Sequence, residues 1–201
     1  MMPTALFRYI SSLLVLAAFA GTADAEPQTF QVVPGKPNLV TFTSKAPLET
    51  VVGHTELISG WIKVDPGNLA ASPTGEFEVD MASLDTDNRI RNGHMRDNHL
   101  HTKQYPTSRF VLKGLGEGAP VKLPDGSPVT FTTTGDFTCH GVTNSITPQV
   151  TVIWNAGSRT LDVTAKFSVI LDDYSIPLPQ FLVMKLEKKQ DIVVRFIAHA
   201  D

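Results

Sequence analysis

The 201-residue sequence has a single cysteine, Cys139. One thiol excludes an internal disulfide, so the fold must rest on its hydrogen bonds and its core. Charge of one sign is also scarce: 17 Lys and Arg stand against 20 Asp and Glu, a formal net charge of −3. That balance lacks the basic footprint of a nucleic-acid binder, and no nucleic-acid partner is expected. Beyond residue 25 there is no apolar run of the length a bilayer-spanning helix needs, so a soluble mature chain is expected. No Gly-x-Ser-x-Gly elbow, phosphate-cradling loop or dinucleotide fingerprint occurs, so neither an enzyme nor a cofactor is expected.

What is present begins with an export signal. Arg8 is the only charge before an apolar run at residues 13–21, and Ala23-Asp24-Ala25 is a small-polar-small cleavage motif. The apolar run is too short to span a bilayer. Residues 1–25 are therefore read as a cleaved signal peptide and 26–201 as one domain of the mature chain. With no Cys after the cut, no lipid anchor is expected there, and the expected location is the periplasm.

The mature chain alternates with period two almost throughout. Leu161, Val163, Ala165, Phe167 and Val169 alternate with Asp162, Thr164, Lys166 and Ser168, the pattern of a strand with one wet face. Phe77, Val79 and Met81 alternate with Glu76, Glu78 and Asp80. Val150, Val152 and Trp154 form a third row, and Ile192, Val194 and Phe196 a fourth. Turn signals separate these runs: Pro66-Gly67, Pro73-Thr74-Gly75, Pro124-Asp125-Gly126 and Asn155-Ala156-Gly157. Short turns between such strands imply antiparallel pairing in an all-β sandwich or closed barrel. Residues 85–100 lack alternation. Asp85 or Thr86 is placed to cap a helix there, and the sparse apolar residues Ile90, Met95 and Leu100 suit a helix lying over the barrel.

Several segments resemble the YceI-like family. Gly53 and Gly60 precede Ile62, Val64 and Asp65. Ser83-Leu84-Asp85-Thr86 is followed by Arg91, His94, Arg96, Tyr105-Pro106 and Phe110. Gly135-Asp136-Phe137-Thr138-Cys139-His140-Gly141-Val142-Thr143 forms a third block, continued by Asp172, Tyr174 and Ile176. The resemblance implies a single antiparallel lipocalin-like closed β-barrel of about eight strands with a short helix over it. It also implies binding or transport of a polyisoprenoid, an isoprenoid quinone or a similar long-chain amphiphile in the bore. The chain departs from the family pattern at Leu100, where an aromatic is usual, at Asn144 in place of a basic residue, and at Cys139 in place of an aliphatic one. The stretch between Arg96 and Tyr105 is one residue short.

The inward rows define the candidate ligand-binding residues: Phe77, Val79, Met81, Val152, Trp154, Phe167, Val169, Val194 and Phe196, joined by Phe131 and Phe137. These side chains either surround a lipid or fill the barrel themselves, and the resemblance favours the lipid. Arg91, His94 and Arg96 either contact a head group or belong to a solvated helix paired with Asp85, Asp87 and Asp97. The spacing of His94, His99 and His101 matches no short zinc motif, so no metal is expected. Cys139 and His140, adjacent on an expected strand, would face opposite ways, which leaves Cys139 a small buried hydrophobe. A lipid-modifying enzyme in the same cavity, and a stress-related interaction protein with a solid barrel, are the alternative functions. Transient membrane contact and homodimer formation stay open.

Overall fold

A computed structural model describes residues 26–45, 49–178, 180–181, 184–185 and 187–201. The signal peptide read at 1–25 lies outside them. The strands are β1 (Gln28–Val32), β2 (Leu39–Lys45), β3 (Thr50–Thr55), β4 (Ile58–Val64), β5 (Thr74–Asp80), β6 (Thr107–Leu115), β7 (Pro128–Cys139), β8 (Val142–Ile146), β9 (Gln149–Asn155), β10 (Thr160–Ile170), β11 (Gln180–Phe181), β12 (Met184–Lys185) and β13 (Lys189–Ala200). Among the described residues, β11 and β12 pair only with each other, and there is one α-helix, α1, spanning Arg89–His94.

Eight strands close a ring in the order β1, β4, β5, β6, β7, β9, β10, β13, with β13 returning to β1. All pairings are antiparallel, as the short turns require. The longest ladder, β10 with β13, sets the inward register: Leu161 faces Ala198, Val163 faces Phe196, Ala165 faces Val194, Phe167 faces Ile192 and Val169 faces Gln190. The apolar row of one strand therefore meets that of its neighbour. A one-residue slip would turn both rows to water, so burial fixes the pairing.

Two strands share the second edge of β13. β2 pairs along Gln190 to Arg195, and β1 pairs at His199 and Ala200. Between them the buried Asn38 mends the ladder: its side-chain amide donates to the Val33 carbonyl and its oxygen accepts from the Ile197 N–H. β3 extends the wall beyond β2, and among the described residues its outer edge meets no strand. Asp85 covers it, exchanging two backbone hydrogen bonds with His54 at 2.8 and 2.9 Å. The segment from 81 to 106 therefore begins at a gap in the wall and crosses the barrel mouth.

The opposite end is packed shut. Phe30, Leu161 and Ala198 are almost completely buried, and the Trp154 ring stands edge-on to Phe30 at 5.6 Å. Leu69 and Leu123, from loops held by backbone bonds to Val121 and Pro66, close the base.

Candidate functional site

Two contiguous apolar cavities occupy the bore. The upper one, about 190 Å³, lies beneath the mouth. The lower one, about 140 Å³, runs toward the base. Val79, Ser108, Phe137, Phe167 and Val194 line both and mark the waist between them. The strand alternation makes the lining: on β5, β10 and β13 every second side chain projects into the bore. Aromatic contacts stiffen the wall, with Phe77 against Phe196 at 4.9 Å and Phe137 edge-on to Phe167 at 5.3 Å.

Of the residues read from the alternation, Met81, Val79, Phe137, Phe167, Val169 and Val194 line the upper cavity. Phe77, Val79, Phe131, Phe137, Val152, Phe167, Val194 and Phe196 line the lower one. Trp154 lies on neither lining; it packs on the core at the base, where Asp125 and Gly126 bond to its backbone. The alternation missed Phe42, Ser44 and Val51 on the β2–β3 hairpin, and Met95, His99 and Leu100 on the covering segment. The β2 row Val40, Phe42, Ser44 has the right period. Its inward Ser hides it from a count of apolar positions.

The covering segment is built by the Ser83-to-Arg96 motif. The helix cap is Asn88, not Asp85 or Thr86: its side chain accepts from the Ile90 and Arg91 N–H groups. Thr86 and Asp85 hold Asn92 instead. The buried Asn92 accepts the Thr86 hydroxyl at 2.7 Å and donates to Asp85 at 2.7 Å, and that donation holds the Asp85 carboxyl below its usual range. Arg91 donates to the Thr86 hydroxyl and carbonyl and pairs with Glu49 at 2.8 Å. Arg96 donates to the Leu84 carbonyl and is off the cavity lining, whereas Arg91 and His94 are on it. The two arginines thus tie the segment to itself and to the β2–β3 hairpin. The ion pairs differ from those expected: Glu49 takes Arg91 and Asp97 pairs with Lys103 at 3.6 Å, while Asp85 feels the charge of Arg96 without pairing with it.

Histidines latch the segment to the opposite rim. His99 Nδ1 donates to the Pro177 carbonyl at 2.9 Å, and burial holds its imidazole below the ordinary histidine value. His140 is not on a strand. It occupies the β7–β8 turn at φ 50°, followed by Gly141 at φ 77°, the two positive angles a tight hairpin turn needs. A side chain at Gly141 would strike the Tyr105 ring at 2.7 Å. His140 Nδ1 donates to the Tyr174 carbonyl, and Nε2 shares a hydrogen with His101 Nδ1 at 2.7 Å. Cys139 is buried on the upper lining, where desolvation pushes its thiol up to about 11. Such a thiol is a poor nucleophile near neutrality. Among the described residues, no three His, Cys, Asp or Glu side chains converge as metal ligands would.

The family model of the YceI-like domain matches residues 30–197. No curated protein sequence matches the chain at a significant level. Among solved structures, it is similar to a polyisoprenoid-binding domain from Saccharophagus degradans implicated in plant cell wall breakdown. That match has a TM-score of 0.66 and 15% identity, over 88% of this chain and 100% of the other. BcnA from Burkholderia cenocepacia matches at TM-score 0.64 and 19% identity, over 80% of this chain and 95% of its own. The Campylobacter jejuni YceI protein matches at TM-score 0.59 and 18% identity, over 76% and 86%. These identities speak for the fold, an eight-stranded barrel crossed by one short helix. The family match spans most of the sequence, and the chain belongs to the YceI-like family.

Proposed function

We propose that this protein binds a long-chain apolar lipid, of the polyisoprenoid or isoprenoid-quinone type, and carries it through the periplasm without altering it. The carrying observation is the pair of joined apolar cavities along the bore. A barrel filled by its own side chains would leave no such space. Apart from the hydroxyl residues Ser108 and Thr133, the lining is apolar from the waist to the base and carries no ionisable group, which suits an extended hydrocarbon and offers proton transfer little to work with. Burial contributes about 0.8 kcal/mol per CH₂-sized group, so a few isoprene units gain on the order of 10 kcal/mol before ordering costs. The Saccharophagus relative's polyisoprenoid binding supports the ligand class, and the leader-like residues 1–25 support the compartment.

In this reading the tail lies between Phe77, Phe131, Val152 and Phe196, and passes the waist at Val79, Phe167 and Val194. The polar end lies under the covering segment, with Arg91 and His94 at the rim. Native mass spectrometry of protein purified from its own periplasm, with organic extraction of the co-purifying material, tests it. About one prenyl lipid per barrel is the expected result. A protein that emerges from mild purification empty, and takes up no prenyl lipid when offered one, would end the proposal.

A further inference from the structure

The size of the bore limits what it can enclose. An apolar cavity of roughly 150 Å³ takes one benzene molecule. The lower cavity, at about 140 Å³, is of that size, and the upper one, at about 190 Å³, is slightly larger. An isoprene unit has one carbon fewer than benzene. The two joined cavities, with the waist between them, therefore have room for about two to three isoprene units in line. Neither has room for a second chain alongside.

The lower cavity has no way to grow longer. Its walls come from β4, β5, β6, β7, β9, β10 and β13, all bonded into the closed ring. Phe77 of β5 and Phe196 of β13 meet at 4.9 Å. The buried Leu69, Leu123 and Leu161 line its lower end, and Phe30 and Trp154 pack against the same core off the lining. Interiors packed in this way yield little. The upper cavity is bounded in part by Met81, Met95 and Leu100 of the covering segment, and methionine adapts its shape readily. Adjustment is thus confined to the mouth, and the base is a fixed stop. One row governs the space above that stop. Phe131 on β7, Val150 on β9 and Ala165 on β10 stand side by side in the register, and all three line the lower cavity.

We infer that the barrel is a length gauge: it encloses a single prenyl chain of about two to three isoprene units, and the row from Phe131 to Ala165 sets that limit. The inference rests on the lipid-binding reading and narrows it to the short members of the class. Each unit that enters the bore leaves water and adds affinity until the chain end meets the stop. A further unit stays beyond the mouth, where it gains none of the burial that a membrane would give it.

The test equilibrates delipidated protein with phosphatidylcholine vesicles that carry a ladder of prenyl alcohols differing by one isoprene unit. The protein is separated from the vesicles, and the alcohols extracted from it are measured against those left behind. Retention should hold up to about two or three units and then fall at least roughly tenfold with each further unit. Phe131→Ala removes a phenyl ring and should move the limit one unit longer. Ala165→Phe adds a ring to the same row and should move it one unit shorter. The double exchange, which carries the ring across Val150, should bring the limit back to that of the parent. A merely structural effect would lower retention at all lengths together and leave the limit in place, and that result would overturn the gauge. Undiminished retention of the longest alcohols, or phospholipid extracted with the barrel, would also overturn it while leaving lipid binding intact. Should Phe131→Ala fail to fold, the parent profile and the Ala165→Phe shift decide the matter. Should the parent retain no alcohol of any length, the lipid-binding reading fails, and the gauge with it.

Discussion

Strand β10 carries one alternation along its whole length, yet its two ends sit in different surroundings. Near the base, Leu161 and Val163 are 2% and 8% exposed. Toward the mouth, Phe167 and Val169 point inward on the same row and stay only half-buried. The strand is the same object at both ends, and what differs is the opposing material. At the base, Phe30, Trp154 and Ala198 fill the ring, and two loop leucines close the lower end of the cavity that Leu161 and Val163 border. At the mouth, the facing positions carry Gly53, Ser44 and a short covering segment. Period-two patterning therefore builds a wall. Whether the wall encloses core or cavity is decided by side chains distant in sequence.

This contrast predicts opposite responses to substitution. The largest effect belongs to the base. Phe30→Ala would empty space that no ligand fills, and should cost about 3–5 kcal/mol of stability in denaturant unfolding. Next comes Val169→Glu at the mouth. An unpaired carboxylate facing hydrocarbon should cut retained lipid at least roughly tenfold while the empty barrel stays folded, because the group can reach water through the mouth. A variant that unfolds as Phe30→Ala does would erase the distinction between the two ends.

Smaller effects sharpen the comparison at the waist. Val79→Phe and Val169→Trp add bulk where the cavities meet or open. In a filled barrel each would overpack, costing roughly 1–3 kcal/mol. Here the cavity can take the ring, so denaturant stability of the delipidated protein should change by less than about 1 kcal/mol while bound lipid falls. Unfolding of both variants, or undiminished lipid in both, would show that these positions do not border open space.

The fold was legible in the sequence because a half-buried strand repeats every two residues and most turns leave Gly, Pro or Asn behind, the Glu56-Leu57 turn between β3 and β4 being an exception. The rows ending at Phe167, Val169 and Phe196 needed no more than that. The roles of Arg91 and Arg96 were not legible. Their motif reads as well for a head-group clamp as for a folding device, and only the bonds to Thr86, Leu84 and Glu49 separate the two. His140 was misplaced for a related reason: its left-handed backbone depends on the Gly141 that follows and on Tyr105 packed against that turn. Ser44 escaped because a lone polar residue in an apolar row looks like noise until the ladder sets Gln190 beside it. Trp154 obeyed the alternation, yet its row position could not say that the base, rather than the cavity, would receive it.

The smallest predicted effect concerns the latch between the covering segment and the far rim. His99 donates to the Pro177 carbonyl from a partly buried position on the cavity lining, and desolvation holds its pKa down, with the neighbouring His101 and His94 adding to the effect. The folded chain therefore keeps this imidazole neutral at pH values where the unfolded chain, titrating near about 6.5, has begun to take up a proton. Below that point the unfolded state binds more protons, so stability is full above the unfolded value and is lost as pH falls through the folded one. Asp85 and Asp191 are also depressed, each first by a side-chain hydrogen bond, from Asn92 and Ser168, but as carboxylates they lose their contribution at lower pH. The interval between about pH 7 and about pH 5 thus isolates the imidazole range. Denaturant stability should decline gently across it. His99→Gln, whose amide can still donate to Pro177, should flatten part of that decline and leave the value near neutrality unchanged. Parallel pH profiles for the parent and His99→Gln would mean that burial of His99 contributes nothing to holding the mouth closed.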